Sequence, residues 1–286
     1  MVESTYTWYW LVDGLMEAGY RVHLANPAAM QQYSGLKYMD DHSDARWLAQ
    51  VLRLGVLPEG YIYPKAERAV RDVLRTRSHL VRQQTANVRS LHNIIVRHTG
   101  VRLSAKRIDA LTLEEIERLL PEPAHVLAVT SSLAVLHCLG PQITTLEKLV
   151  HTRLQHTPAY AQLQTVEGIG TILAQTIVLE TGEMRRFPTV GNYASYCRCV
   201  TSTKISNGKR KGQGNVKNGH PYLEWAYREA AQFAIRFNPT VQRFYQRKHA
   251  KSHLMVARKA VAHTLSRACY DIMRDLVPFD VHKAFG

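Results

Sequence analysis

Apolar residues recur at helical spacing at Trp8, Leu11, Val12, Leu15 and Met16, and Gly19 stops that pattern. Residues 21–26 (RVHLAN) then alternate like a short strand ended by Pro27, so helix, turn and strand follow directly from one another. After a polar loop, residues 44–54 read as a helix closed by Gly55, and residues 61–63 as a brief strand before Pro64. From residue 65 to about 98 one helical pattern runs without Pro or Gly, its apolar positions from Val70 to Ile95 forming a single stripe. Such a stripe predicts helix-on-helix packing or a coiled coil. Residues 123–146 carry no Asp, Glu, Lys or Arg, but His125, His137, Gly140 and Pro141 interrupt them. We read them as a buried helix rather than a membrane span, packing back antiparallel with the segment to about 156. Beyond Pro158 the pattern predicts helices over 159–180, 190–197, 222–236 and 241–274. The reading is mainly α with a partial α/β start, in three parts: 1–64, 65–157 and 158–286.

Charge changes this picture. Against 23 acidic residues stand 37 basic ones, a net +14, which makes a polyanion the expected partner. Eleven of the basic residues, against two acidic ones, lie between residues 65 and 107. A second concentration is residues 200–221, with five basic residues (Lys204, Lys209, Arg210, Lys211, Lys217), four glycines and no acid, which reads as an exposed, mobile, positive loop. The four cysteines form no CxxC pair, which excludes a disulfide scaffold and a paired-cysteine zinc site and fits a reducing cytoplasm. No basic and apolar leader follows Met1, so a soluble, intracellular chain is expected.

Three constellations could carry chemistry. The run LQTVEGIG, ending at Gly168 and Gly170 before an apolar helix, is compatible with a plain tight turn. It is equally compatible with a helix-hairpin-helix, whose backbone N–H groups and positive helix end meet a phosphate without reading sequence. Asp41 and Asp44, three apart at a helix start, project from one face. They fit either solvated dipole-facing acids or two of the carboxylates that hold Mg²⁺ in phosphodiester chemistry, with Glu3 as a third if it ends a strand beside them. Ser206 lies among Lys204, Lys209, Arg210 and Lys211 in KISNGKRK. It is a turn serine beside Asn-Gly, or a nucleophile with cations to hold a phosphate.

With these residues assembled, the chain resembles the insertion-sequence transposases of family one-ten, relatives of the Piv and MooV invertases. The resemblance rests on Val2-Glu3-Ser4-Thr5, on residues 22–27 (VHLANP) and on Asp41-x-x-Asp44-Ala45-x-x-Leu48-Ala49. In the second half it rests on residues 165–170 (TVEGIG), Phe187, Ser206, residues 217–219 (KNG), residues 222–226 (YLEWA) and residues 229–231 (EAA). It implies a RuvC-like (RNase H fold) N-terminal domain with a DEDD carboxylate set binding Mg²⁺, a coiled-coil connector, and a transposase domain whose serine forms a covalent 5′-phosphoserine link to DNA. By position Glu3 matches the second acid, Asp41 and Asp44 the third and fourth, and Ser206 the serine. The resemblance further implies a structured guide RNA and dimers that assemble into tetramers.

Cys199 stands where the family usually has glycine, and Glu224 where arginine is common. The strand carrying the first aspartate has no counterpart before Met1, so a truncated RuvC-like domain is expected. Two readings follow: a transposase or recombinase, and a catalytically inactive DNA- or RNA-binding fragment.

Overall fold

The computed structural model describes residues 1–4, 7–27, 29, 40–201, 203–213 and 218–286, the side chains of 204, 210 and 213 excepted. The chain is mainly helical and forms two compact units, one of Met1–Arg68 with Pro158–Gly286, the other of Ala69–Thr157.

The first unit begins with β1 (Val2–Glu3), α1 (Trp8–Glu17) and β2 (Leu24–Ala25). The two strands are parallel, with Val2 opposite Leu24 and Glu3 opposite Ala25. The strand expected over 21–26 shrinks to two residues because its partner is only two residues long, and the far side of Ala25 takes a single bridge to Glu59. No strand forms at 61–63. Instead the rings of Tyr61 and Tyr63 meet edge to face at 4.7 Å and pack against Gly182, where an added Cβ would lie 3.0 Å from both. The next helix, α2 (Asp41–Arg53), starts three residues earlier than the apolar pattern, because Asp40 accepts from the Ser43 amide and Ser43 returns the bond to the Asp40 amide.

The second unit holds all but the first residues of α3 (Lys65–Thr99), then α4 (Ala105–Asp109), α5 (Leu113–Leu119) and α6 (Pro123–Leu154). Leu91 and Ile95 of α3 share a buried cluster with Ile108, Ile116, Leu120, Val129, Leu133 and Leu136. Farther along, Arg77 pairs with Glu147 at 2.6 Å, so α3 and α6 run antiparallel. The expectation of a buried helix over 123–146 needs correcting. The helix is long and apolar enough to cross a membrane by length and composition, and only one face is buried, leaving Leu127 and Val135 exposed.

The first unit resumes with α7 (Pro158–Leu163), α8 (Thr171–Thr181), a 3-10 turn at Met184–Arg186 and α9 (Val190–Tyr196). A hairpin of β3 (Thr203–Ser206) and β4 (Lys209–Gln213) follows, then α10 (Pro221–Phe237), α11 (Pro239–His249), α12 (Leu254–Asp275) and α13 (Val281–Phe285). The single helix expected over 241–274 is two. The Ser252 hydroxyl donates back to the Lys248 carbonyl and His253 caps the new start by accepting from the Met255 amide, local bonds that end one helix and begin the next. The core is centred on α8, buried from Leu173 to Ile177 and again from Leu179 to Thr181. Against it packs α10 with its small face of Ala226, Ala230, Ala231 and Ala234. Hydroxyls are satisfied internally there: Tyr193 meets Thr181 at 3.0 Å and Tyr227 at 2.7 Å.

Candidate nucleic-acid interface and serine hairpin

Ser206 ends β3, and the two-residue connection Asn207-Gly208 has φ of 49° and 70°. Positive φ at both central residues matches the twist of the flanking strands, and Asn-Gly supplies it with least strain. The segment expected as an irregular loop is therefore an ordered antiparallel hairpin, with Ser206 opposite Lys209 and a register shift after Lys204. Directly opposed residues share a face, so Lys209 projects on the same side as Ser206, while Lys211 is the extra residue at the register shift, between Arg210 and Gly212. Ser206, Lys209 and Lys211 are exposed. The side chains of Lys204 and Arg210, and the whole of Lys217, lie outside the described residues.

The root of the hairpin is built differently. Cys199 donates its amide to the Ala194 carbonyl at 3.0 Å, and the His220 amide donates to the Tyr196 carbonyl at 2.6 Å. Gly219, at φ +90°, sits so close that a Cβ would lie 2.7 Å from the Tyr196 carbonyl oxygen. Arg198 donates through Nε to the Asn218 carbonyl at 3.0 Å and pairs with Glu224 at 3.6 Å. The two departures noted in the sequence thus have local accounts. Glu224 serves as partner to Arg198, and Cys199 is a buried thiol whose pKa burial pushes up to about 12.

The two glycines of the 165–170 turn play different parts. Gly168 has φ +103°, and a Cβ there would lie 2.7 Å from the Ala230 carbonyl oxygen and the Ala234 nitrogen, so it is the point where the turn presses on α10. Gly170 precedes α8 with φ −80°, open space around its Cβ position and no side-chain cap on the helix. The start of α8, Gly170 and Thr171, is exposed while the rest of the helix is nearly all buried.

The acids lie on the other part of the first unit. Glu3 is exposed on β1, and Asp41 and Asp44 occupy the first turn of α2, Asp41 exposed and Asp44 half-buried. Among the described residues no three His, Cys, Asp or Glu side chains come together in a group able to hold a metal ion. Glu3, Asp41 and Asp44 therefore do not fit a three-carboxylate Mg²⁺ centre as they stand.

Two family models match separate stretches of the chain. Residues 1–99 match a DEDD-type model described as a transposase, and residues 160–246 match the model described as the transposase IS116/IS110/IS902 family. The chain belongs to the IS110 family of transposases. A relative from Streptomyces coelicolor, described as an insertion element IS110 uncharacterized 43.6 kDa protein, is 26% identical over 160 residues. That match spans 55% of this chain and 40% of the relative. Glu3, Asp41 and Asp44 fall inside the first model, and Gly168, Gly170 and Ser206 inside the second. DEDD transposases typically use a divalent metal, and the described residues of this IS110-family chain form no such site.

Sequence reasoning passed over Glu180 and His220, which meet at 3.2 Å beside the root of the hairpin. The available signal was Glu180, the one acid in the apolar helix TILAQTIVLET, in its last turn.

Proposed function

We propose that this chain is a DNA transposase, acting in the cytoplasm, whose Ser206 hydroxyl attacks a DNA phosphodiester. The Oγ–P bond forms as the P–O3′ bond breaks. The strand retains its phosphate as a 5′-phosphoserine ester, the departing 3′ oxygen takes a proton, and the serine proton passes to solvent. The observation that carries the reading is an exposed serine opposite Lys209 at the tip of a hairpin pinned at its root, inside the stretch matched to the family's transposase model. Lys209 and Lys211 are placed to counter the negative charge that builds on the phosphate oxygens. The exposed, uncapped start of α8 supports a helix-hairpin-helix contact with the DNA backbone through Gly170, with Gly168 holding the turn against α10.

In this reading residues 1–64 belong to the RuvC-like domain, 65–157 to the helical connector and 158–286 to the transposase domain. A structured guide RNA would find its counter-charge on the basic connector, and the working form is a dimer or tetramer. No step here passes through Mg²⁺, since the acids do not gather. The alternative, an inactive nucleic-acid-binding fragment, has no observation of its own in its favour.

The test is covalent trapping on duplex DNA carrying the sequence that flanks the chain's own gene. The wild-type protein gives a denaturant-resistant adduct, and Ser206→Ala gives none while still shifting the DNA in a gel. An adduct of unchanged yield in Ser206→Ala overturns the assignment.

A further inference from the structure

We infer that Glu180 and His220 act as a positioning pair that aims the Ser206 hairpin from below, an inference that rests on the serine reading above. Glu180 is 1% exposed, near the end of the core helix α8, and its Oε2 lies 3.2 Å from Nε2 of His220. A carboxylate taken out of water costs several kcal/mol, and an apolar residue of similar volume usually holds a core as well or better. Packing alone therefore gives no reason for an acid at this place.

The position of His220 supplies one. It is the residue before α10, immediately after Gly219, where the chain re-enters the core from the hairpin. Its ring faces Tyr196 at 5.4 Å and Tyr222 at 5.9 Å, and its amide is held by the Tyr196 carbonyl. The other root of the hairpin leaves from the same place, since Tyr196 ends α9 and Arg198, at φ +56°, turns the chain toward β3. One buried carboxylate–imidazole contact thus ties both roots to α8.

Leverage makes this matter. By strand rise Ser206 lies roughly 10 Å from Thr203, so a tilt of about 6° at the root moves the hydroxyl by about 1 Å. A misplacement of that size can cost about a hundredfold in rate.

The experiment compares wild type, Glu180→Leu and Glu180→Gln by hydrogen exchange over 199–213 and by the rate of adduct formation across DNA concentrations. Leucine keeps the core filled but removes the pair. It should speed exchange over 199–213 more than elsewhere in the unit, and lower the rate at saturating DNA by about ten- to a hundredfold without moving the half-saturating DNA concentration. Glutamine, whose Oε1 still accepts from His220, should recover most of the rate. Should Glu180→Leu fail to fold, His220→Leu, at the rim of the core, removes the pair from the other side and carries the same test. Unchanged exchange in the leucine variant overturns the proposal, and so does faster exchange with an unchanged rate. A wild-type adduct that does not depend on Ser206 overturns the serine reading instead, and the exchange measurement then still decides whether the pair holds the root.

Discussion

Replacing Gly168 and Gly170 separately with alanine tells backbone packing from phosphate contact in the 165–170 turn. At Gly168 the φ of +103° is one that alanine rarely adopts, a strain of about 1–3 kcal/mol. The new Cβ would also stand 2.7 Å from the Ala230 carbonyl oxygen and the Ala234 nitrogen, backbone atoms of α10 that cannot rotate aside. Forcing helix and turn apart costs a further ~1–3 kcal/mol. Gly168→Ala is therefore expected to lose about 2–6 kcal/mol, which for a unit of roughly 200 residues lowers the melting temperature by about 5–20 °C. Gly170 has φ −80° and nothing within 4 Å of its Cβ position. Gly170→Ala should cost under about 1 kcal/mol, and any effect should fall on DNA binding. Thermal unfolding followed by circular dichroism gives the comparison. Equal melting temperatures for Gly168→Ala and wild type, or an equal loss in both variants, would refute the packing account.

Other consequences can be measured as directly. Tyr193→Phe removes the hydroxyl that joins Thr181 and Tyr227; leaving those buried groups short of a partner should cost about 1–3 kcal/mol in urea unfolding, and an unchanged midpoint would mean that water replaces the bond. At pH 8 a maleimide should label Cys138, which is exposed, and leave Cys197, Cys199 and Cys269 until denaturant is added. Burial pushes the Cys199 and Cys269 thiols up to about 12, so at that pH they are protonated as well as covered, and rapid labelling of a second thiol would contradict this core. Lys209→Ala and Lys211→Ala should each weaken DNA binding and flatten the dependence of log affinity on log salt by about 0.9; a slope that stays the same would take that lysine off the phosphate backbone.

What the sequence showed clearly were elements whose burial is one-sided and local. The stripe of α3 and the start and stop of α1 follow from residues three or four apart, and Gly19 and Gly55 close α1 and α2 at positive φ as expected. Where the outcome depended on a distant partner, the pattern fell short. Residues 203–206 and 209–213 lack apolar alternation and read as loop, although Asn207-Gly208 announced the turn. The break at 250–253 is made by cap bonds that leave the apolar period undisturbed. The sequence leaves Gly168 open between a tight turn and a phosphate contact, because α10, on which it packs, lies some sixty residues further along the chain. Glu180 gave a polar letter in an apolar helix, but its partner is forty residues away. The acids show the same limit, since spacing puts Asp41 and Asp44 on one face and says nothing of where β1 carries Glu3.

The hairpin joins these strands of argument. A two-stranded sheet is marginal in water by itself, and this one is exposed at each described side chain from Thr203 to Gly212, Ile205 at 69%. Lys209 and Lys211 put like charges on it. Its order therefore depends on the Asn207-Gly208 turn at one end and on the Gly219–His220 clamp at the other. A polyanion laid along it would remove the repulsion without touching either anchor. On the proposed serine reading, such binding would steady the tip that carries Ser206, at the end farthest from the clamp.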